Sequence, residues 1–141
     1  MIRSIDAALE AIKNSMAAQL PGRVVQRSLV LDPPTHDAQE LRKGVICLVG
    51  EGGGRFANYR GREGQLGHIN LGVVAFLAVD ESEPPEAIER AELALLEEVL
   101  AWVKEPGEPR AFDTALPGNF RLSRQIDFPL GWFVLELDVK P

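Results

Sequence analysis

Apolar residues recur at steps of four, three, four and four through Ile5, Leu9, Ile12, Met16 and Leu20, which lays them on one stripe of a helix starting near Ser4. Pro21-Gly22 ends that helix. Arg23 to Leu31 (RVVQRSLVL) is rich in β-branched residues and stops at Asp32-Pro33-Pro34, where two ladder donors are lost, so it reads as a first strand. Residues 32 to 42 are polar and turn-like. Lys43 to Gly50 (KGVICLVG) is a short, nearly continuous apolar strand, and Gly67 to Asp80 (GHINLGVVAFLAVD) is the longest strand pattern, with Ile69, Leu71, Val73, Ala75, Leu77 and Val79 on one face. Ser82, Pro84 and Pro85 open a second helix, favoured by Glu86 and Glu89 near its positive end. Its apolar face is broad: Ile88, Ala91, Leu95, Val99 and Trp102 make one stripe, and Leu93, Leu96, Leu100 and Val103 an adjoining one.

Pro106-Gly107 ends the second helix, and the proline-punctuated run 105–118 reads as irregular. Asn119 to Phe128 alternates, with Phe120, Leu122, Ile126 and Phe128 on one side and Arg124 interrupting the series. After Pro129-Leu130-Gly131, Trp132 to Val139 alternates Phe133, Leu135, Leu137 and Val139 against Trp132, Val134, Glu136 and Asp138. The last two strands form an antiparallel hairpin. The expected fold is a single α+β domain over 1–141, in the order α-β-β-β-α-β-β, with two helices on one face of a mostly antiparallel five-stranded sheet.

Between the second and third strands lie sixteen residues, Glu51 to Leu66 (EGGGRFANYRGREGQL), with five glycines, three arginines and two aromatics. A compact domain seldom keeps so long a connection without a use for it. Gly52-Gly53-Gly54-Arg55-Phe56-Ala57 fits G-x-G-x-x-A after a strand, but the fingerprint works only by delivering a pyrophosphate to a helix N-terminus. Asn58, Gly61, Gly64 and Gly67 stop a helix from following, and no acid stands about 20 residues on. No Gly-Lys-Ser/Thr follows either, which excludes a Walker loop.

Charge and composition narrow the function further. Net charge is −6, yet Asp80 to Glu105 alone carries −7, so the acidity belongs to that one segment, where a solvated helix face accounts for it. No Lys/Arg stripe exists outside the glycine loop, which disfavours a nucleic-acid footprint. The N-terminus lacks the unbroken apolar stretch of a signal peptide, and no run is long enough to span a bilayer, so a soluble protein of the cell interior is expected. Cys47 is the single cysteine and stands in an apolar strand, which reads as a buried, inert thiol.

Neither histidine has a partner set for catalysis: His36 lies in a polar turn, and His68 starts a strand within reach of the loop. Paired acids such as Glu97 and Glu98 are sequence neighbours that do not converge. No spacing suits a metal. The residues therefore predict no catalytic group, no cofactor and no metal. Contact chemistry remains. Arg55, Phe56, Tyr59, Arg60 and Arg62 combine planar cations with aromatics, the types that interface cores enrich, and with His68 they form the candidate interface. At about 3.3 Å per residue the arm could lie across an adjacent subunit.

The order of these elements carries a family likeness. The N-terminal amphipathic helix (SIDAALEAIKNSMAAQLPG), the long strand after a long loop (GHINLGVVAFLAVD), the acidic helix and the closing hairpin (FRLSRQIDFPLGWFVLELDV) together resemble the tail terminator proteins of tailed bacteriophages and prophages, in particular the small tail-completion proteins of Mu-like and lambda-like phages. The resemblance implies a structural virion assembly protein, without cofactor or turnover. It implies a homo-oligomeric, hexameric ring that caps the tail tube, stops its polymerisation and offers a joining surface to the head-tail connector. It also implies a place in the bacterial cytoplasm during assembly and then in the virion tail. The alternative from another class is a small ligand- or nucleotide-binding α+β domain that uses the 51–66 glycine loop as a lid.

Overall fold

Ser4 starts the first helix: its hydroxyl accepts the backbone N–H of Ala7 at 3.0 Å, which satisfies one of the orphan donors of the first turn. The computed structural model describes residues 4–27, 38–55 and 67–141. Among them the elements run α1 (Ile5–Gln19), β1 (Val24–Gln26), α2 (Ala38–Lys43), β2 (Val45–Arg55), β3 (His68–Ala78), α3 (Glu86–Lys104), β4 (Thr114–Leu122) and β5 (Leu130–Lys140). The five strands form one sheet in the order β1-β2-β3-β5-β4; β1 pairs with β2 in parallel, and every other neighbour is antiparallel.

Alternation decides which face meets the helices. Ile46 and Leu48 of β2, Leu71, Val73, Ala75 and Leu77 of β3, and Phe133, Leu135, Leu137 and Val139 of β5 all point to one side and are buried there. Against them pack Ile12, Met16 and Leu20 at the α1 end and Ile88, Leu95, Leu96, Val99, Trp102 and Val103 of α3. Burying a large aliphatic side chain contributes about 1.5–3 kcal/mol each, so this layer is the main source of stability. Trp102 ties its parts together: its indole N–H donates to the Ser15 hydroxyl at 3.1 Å, that hydroxyl donates to the carbonyl of Pro106 at 3.1 Å, and its ring meets Phe112 edge-on at 5.2 Å. On the outer side of α1, Arg27 bridges Asp6 and Glu10 at 2.8 and 3.1 Å. Hydrogen bonds from Lys13 first and Arg27 second hold the Glu10 carboxyl below its ordinary range.

The fold is α+β with a mixed, mostly antiparallel five-stranded sheet, and α1 and α3 cover one face as expected. The element order needs correction. A third helix, α2, occupies residues expected to be turn-like, and Gly44 follows it with a φ of +84°, the left-handed position that stops helices. The first strand was expected over Arg23–Leu31; β1 spans Val24–Gln26, and residues 28–31 lie outside the described ones, as does His36. β2 runs on through the glycines to Arg55, so Glu51 to Arg55 are strand and not loop. β4 starts at Thr114 and ends at Leu122, several residues earlier than the alternation suggested. Pro117 lies within β4 and not in an irregular run, because β4 is an edge strand, where a missing N–H is tolerated, and the ladder shifts register between Pro117 and Phe120. No helix among the described residues is long and apolar enough to cross a membrane.

Candidate functional site

The sheet face turned away from α1 and α3 mixes apolar and polar side chains. Asn70 and Glu136 are exposed there, while Val49, Val74, Trp132, Val134 and Asp138 are half-buried. Cys47, on the same face, is fully buried as expected, with the Gln26 side-chain amide 3.4 Å from its sulfur. At the end of the sheet where β5 finishes, a shallow groove of about 270 Å³ is lined by Glu51 of β2, Asn70 of β3, Leu116 and Gly118 of β4, and Glu136 and Asp138 of β5.

Two glycines shape that groove. Gly72 stands opposite Glu136 in the ladder, and a Cβ on it would come 3.1 Å from Glu51 Oε1, so the Glu51 side chain lies across the space that Gly72 leaves. A Cβ on Gly118 would stand 3.7 Å from Glu136 Oε2, which puts the second carboxylate beside the bulged part of β4. Glu51 and Glu136 form no ion pair with any described residue. Asp138 is engaged: its Oδ1 lies 3.0 Å from Nδ1 of His68.

His68 is the one member of the predicted interface set whose side chain the structure describes. It sits at the last rung of the β2–β3 ribbon, opposite the backbone of Arg55. Phe56, Tyr59, Arg60 and Arg62 lie outside the described residues. The ribbon closes on backbone: a Cβ on Gly54 would come 2.2 Å from the carbonyl oxygen of His68, so only glycine fits there. Gly52 takes a φ of +75°, and the register shifts between Gly50 and Gly54. The glycines that fit the dinucleotide fingerprint are thus laid along a strand.

The opposite end of the sheet holds a feature that sequence reasoning missed. Glu92 of α3 is fully buried, 0 % exposed. Its Oε2 accepts the Ser123 hydroxyl at 2.5 Å and the backbone N–H of Trp132 at 2.8 Å, while Oε1 has no hydrogen-bond partner. Gly131 makes room for it, since a Cβ there would come 2.5 Å from Glu92 Oε2 and 2.4 Å from Ile88 Cγ1. The turn from Ser123 to Leu130 is thereby pinned to α3. Further bonds run from Gln125 Nε2 to Glu89 at 3.1 Å, from the Trp132 indole to Asp127 at 3.3 Å, and from the N–H of Val79 to the carbonyl of Pro129 at 3.0 Å. Within this turn Arg124 and Gln125 have φ of +62° and +64°, left-handed conformations that cost a non-glycine residue about 1–3 kcal/mol each. At the tip, Ile126 is 74 % exposed.

The sequence signal for Glu92 lies in its spacing. Ile88, Glu92, Leu95, Val99 and Trp102 follow steps of four, three, four and three, so an acid occupies a core position of the stripe. Among the described residues no group of three or more His, Cys, Asp or Glu side chains is placed to hold a metal ion. No protein-family model matches the chain, and no curated protein matches it.

Proposed function

We propose that the chain is a structural assembly protein that works by binding copies of itself, as a tail terminator does. In this reading it forms a ring, hexameric by the resemblance, that caps a phage tail tube, ends its polymerisation and presents a surface to the head-tail connector. The observation that carries the reading is the apolar surface left open on the β4–β5 hairpin. One face is filled by α1 and α3, whereas the β4–β5 region leaves three large apolar side chains in water: Leu116 at 64 %, Phe120 at 56 % and Ile126 at 74 % exposure. Apolar exposure concentrated on one hairpin is what a contact surface leaves uncovered in the free protein.

The arginine-bearing arm between Arg55 and Leu66, with His68 at its root, is the second contact element of this proposal. The lid reading for a nucleotide draws less support, because Gly52–Gly54 lie within strand β2, whereas a phosphate-binding glycine turn would leave the strand before them. Light scattering with negative-stain microscopy tests the proposal: closed rings, or concentration-dependent association toward them, are expected. A concentration-independent monomer whose melting temperature rises with added nucleotide would favour the lid instead.

A further inference from the structure

The turn pinned by Glu92 and the groove beside Gly72 have matching chemistry and stand at opposite ends of β5. From Leu130 to Glu136 the strand rises about 20 Å, at about 3.3 Å per residue, so the turn cannot reach the groove of its own molecule. At the turn, an exposed isoleucine stands two residues from Arg124, which is exposed and forms no ion pair with a described residue. In the groove, exposed Leu116 of the edge strand stands opposite Asp138, and the Glu51 and Glu136 carboxylates, which also lack a described counter-ion, line the same groove from β2 and β5. Strand addition at the β4 edge is a poor alternative, because Pro117 removes a donor and the register shift breaks the ladder.

The turn is also costly to keep. Two left-handed non-glycine residues, and a buried carboxylate with one unpartnered oxygen, hold residues 124–127 in display. Strain of this kind persists only where the surrounding structure holds it, and a fixed contact element is one use for it. We propose that Ile126 and Arg124 of one copy seat in the groove of the next copy, the isoleucine against Leu116 and the guanidinium between Glu51 and Glu136. The inference rests on the self-assembly reading and specifies its interface. Because knob and groove are different surfaces, the contact is head-to-tail, the type that closes into a ring when the rotation per copy allows it.

The test uses the full chain in two forms, R124E/I126D with an altered knob and E51K/E136K with an altered groove. Circular dichroism and a denaturant midpoint establish that each is folded, and I126S serves as a milder knob variant. Each form alone is expected to sediment as a monomer under conditions where the unaltered chain associates. An equimolar mixture is expected to give a one-to-one dimer and nothing larger, since it retains one intact knob and one intact groove. Retention of the unaltered chain's mass by either variant, or a mixture that stays monomeric, overturns the head-to-tail contact while leaving self-assembly in place. An unaltered chain that stays monomeric at every concentration overturns both.

Discussion

At the far end of the β2–β3 ribbon the chain holds itself together with backbone: Gly54 lets β2 close on the His68 carbonyl, and an imidazole–carboxylate contact, His68 to Asp138, ties β3 to β5. At the β4–β5 turn it uses side chains instead, with a buried carboxylate, an amide–carboxylate bond and an indole–carboxylate bond all converging on eight residues. The first arrangement asks little of residue identity apart from small size. The second depends on particular side chains and holds two residues in conformations they avoid elsewhere. Conspicuous composition marks the first, and a single misplaced acid in a helical stripe marks the second.

If that contrast is right, substitutions should hurt the two ends unequally. The largest effect is expected from Glu92→Ala, which leaves the Ser123 hydroxyl and the Trp132 N–H buried without an acceptor and opens a cavity; a loss of about 2–4 kcal/mol in urea unfolding is expected, with Glu92→Gln losing clearly less. Equal losses for the two variants would show that volume, and not hydrogen bonding, holds the turn. Next comes Gly131→Ala, whose methyl would meet Ile88 and Glu92 well inside contact distance, for about 1–3 kcal/mol. Gly22→Ala, with nothing within 4 Å of the new methyl, is its control and should stay within about 0.5 kcal/mol.

Arg124→Gly should act in the opposite direction. Releasing a left-handed φ of +62° is expected to raise the denaturation midpoint, by up to about 1 kcal/mol after allowance for the freer unfolded chain, while association weakens. Stability and association falling together would argue that the turn's conformation serves folding alone. The smallest change in stability is expected when residues 57–65 are replaced by a Gly/Ser stretch of the same length, or when Arg60 becomes Glu: within about 0.5 kcal/mol, with assembly and tail completion lost. Normal tail length and head joining in a phage carrying either change would remove the arm from the interface.

Periodic burial was legible in the residues before any coordinates. Ser4 and Pro21-Gly22 bracket α1, the core face of β3 runs through Ile69, Leu71, Val73, Ala75 and Leu77, and the core face of β5 through Phe133, Leu135, Leu137 and Val139. The failures came where a tertiary neighbour overrules local preference. Pro117 is at home on a sheet edge, a circumstance its own sequence neighbours do not announce. Arg124, which interrupts the alternation, does so because β4 has already ended at Leu122 and the chain is turning. The glycine run looked like loop because glycine is poor in strands, yet close packing on His68 admits nothing larger at residue 54. Of the predicted interface residues only His68 could be followed to its contact. The groove and the pinned turn are made by pairs far apart in sequence, Glu51 with Glu136 and Glu92 with Trp132, which no one-dimensional period connects.

Cys47 is the chain's lone thiol and lies fully sheltered on β2, between β1 and β3. An alkylating reagent can reach it only when that part of the sheet parts from its neighbours, so the labelling rate in native buffer counts spontaneous openings of the β1 side. The protein thus carries its own stopwatch, one that needs no engineered probe and reads the β1 side of the sheet, away from the β4–β5 turn.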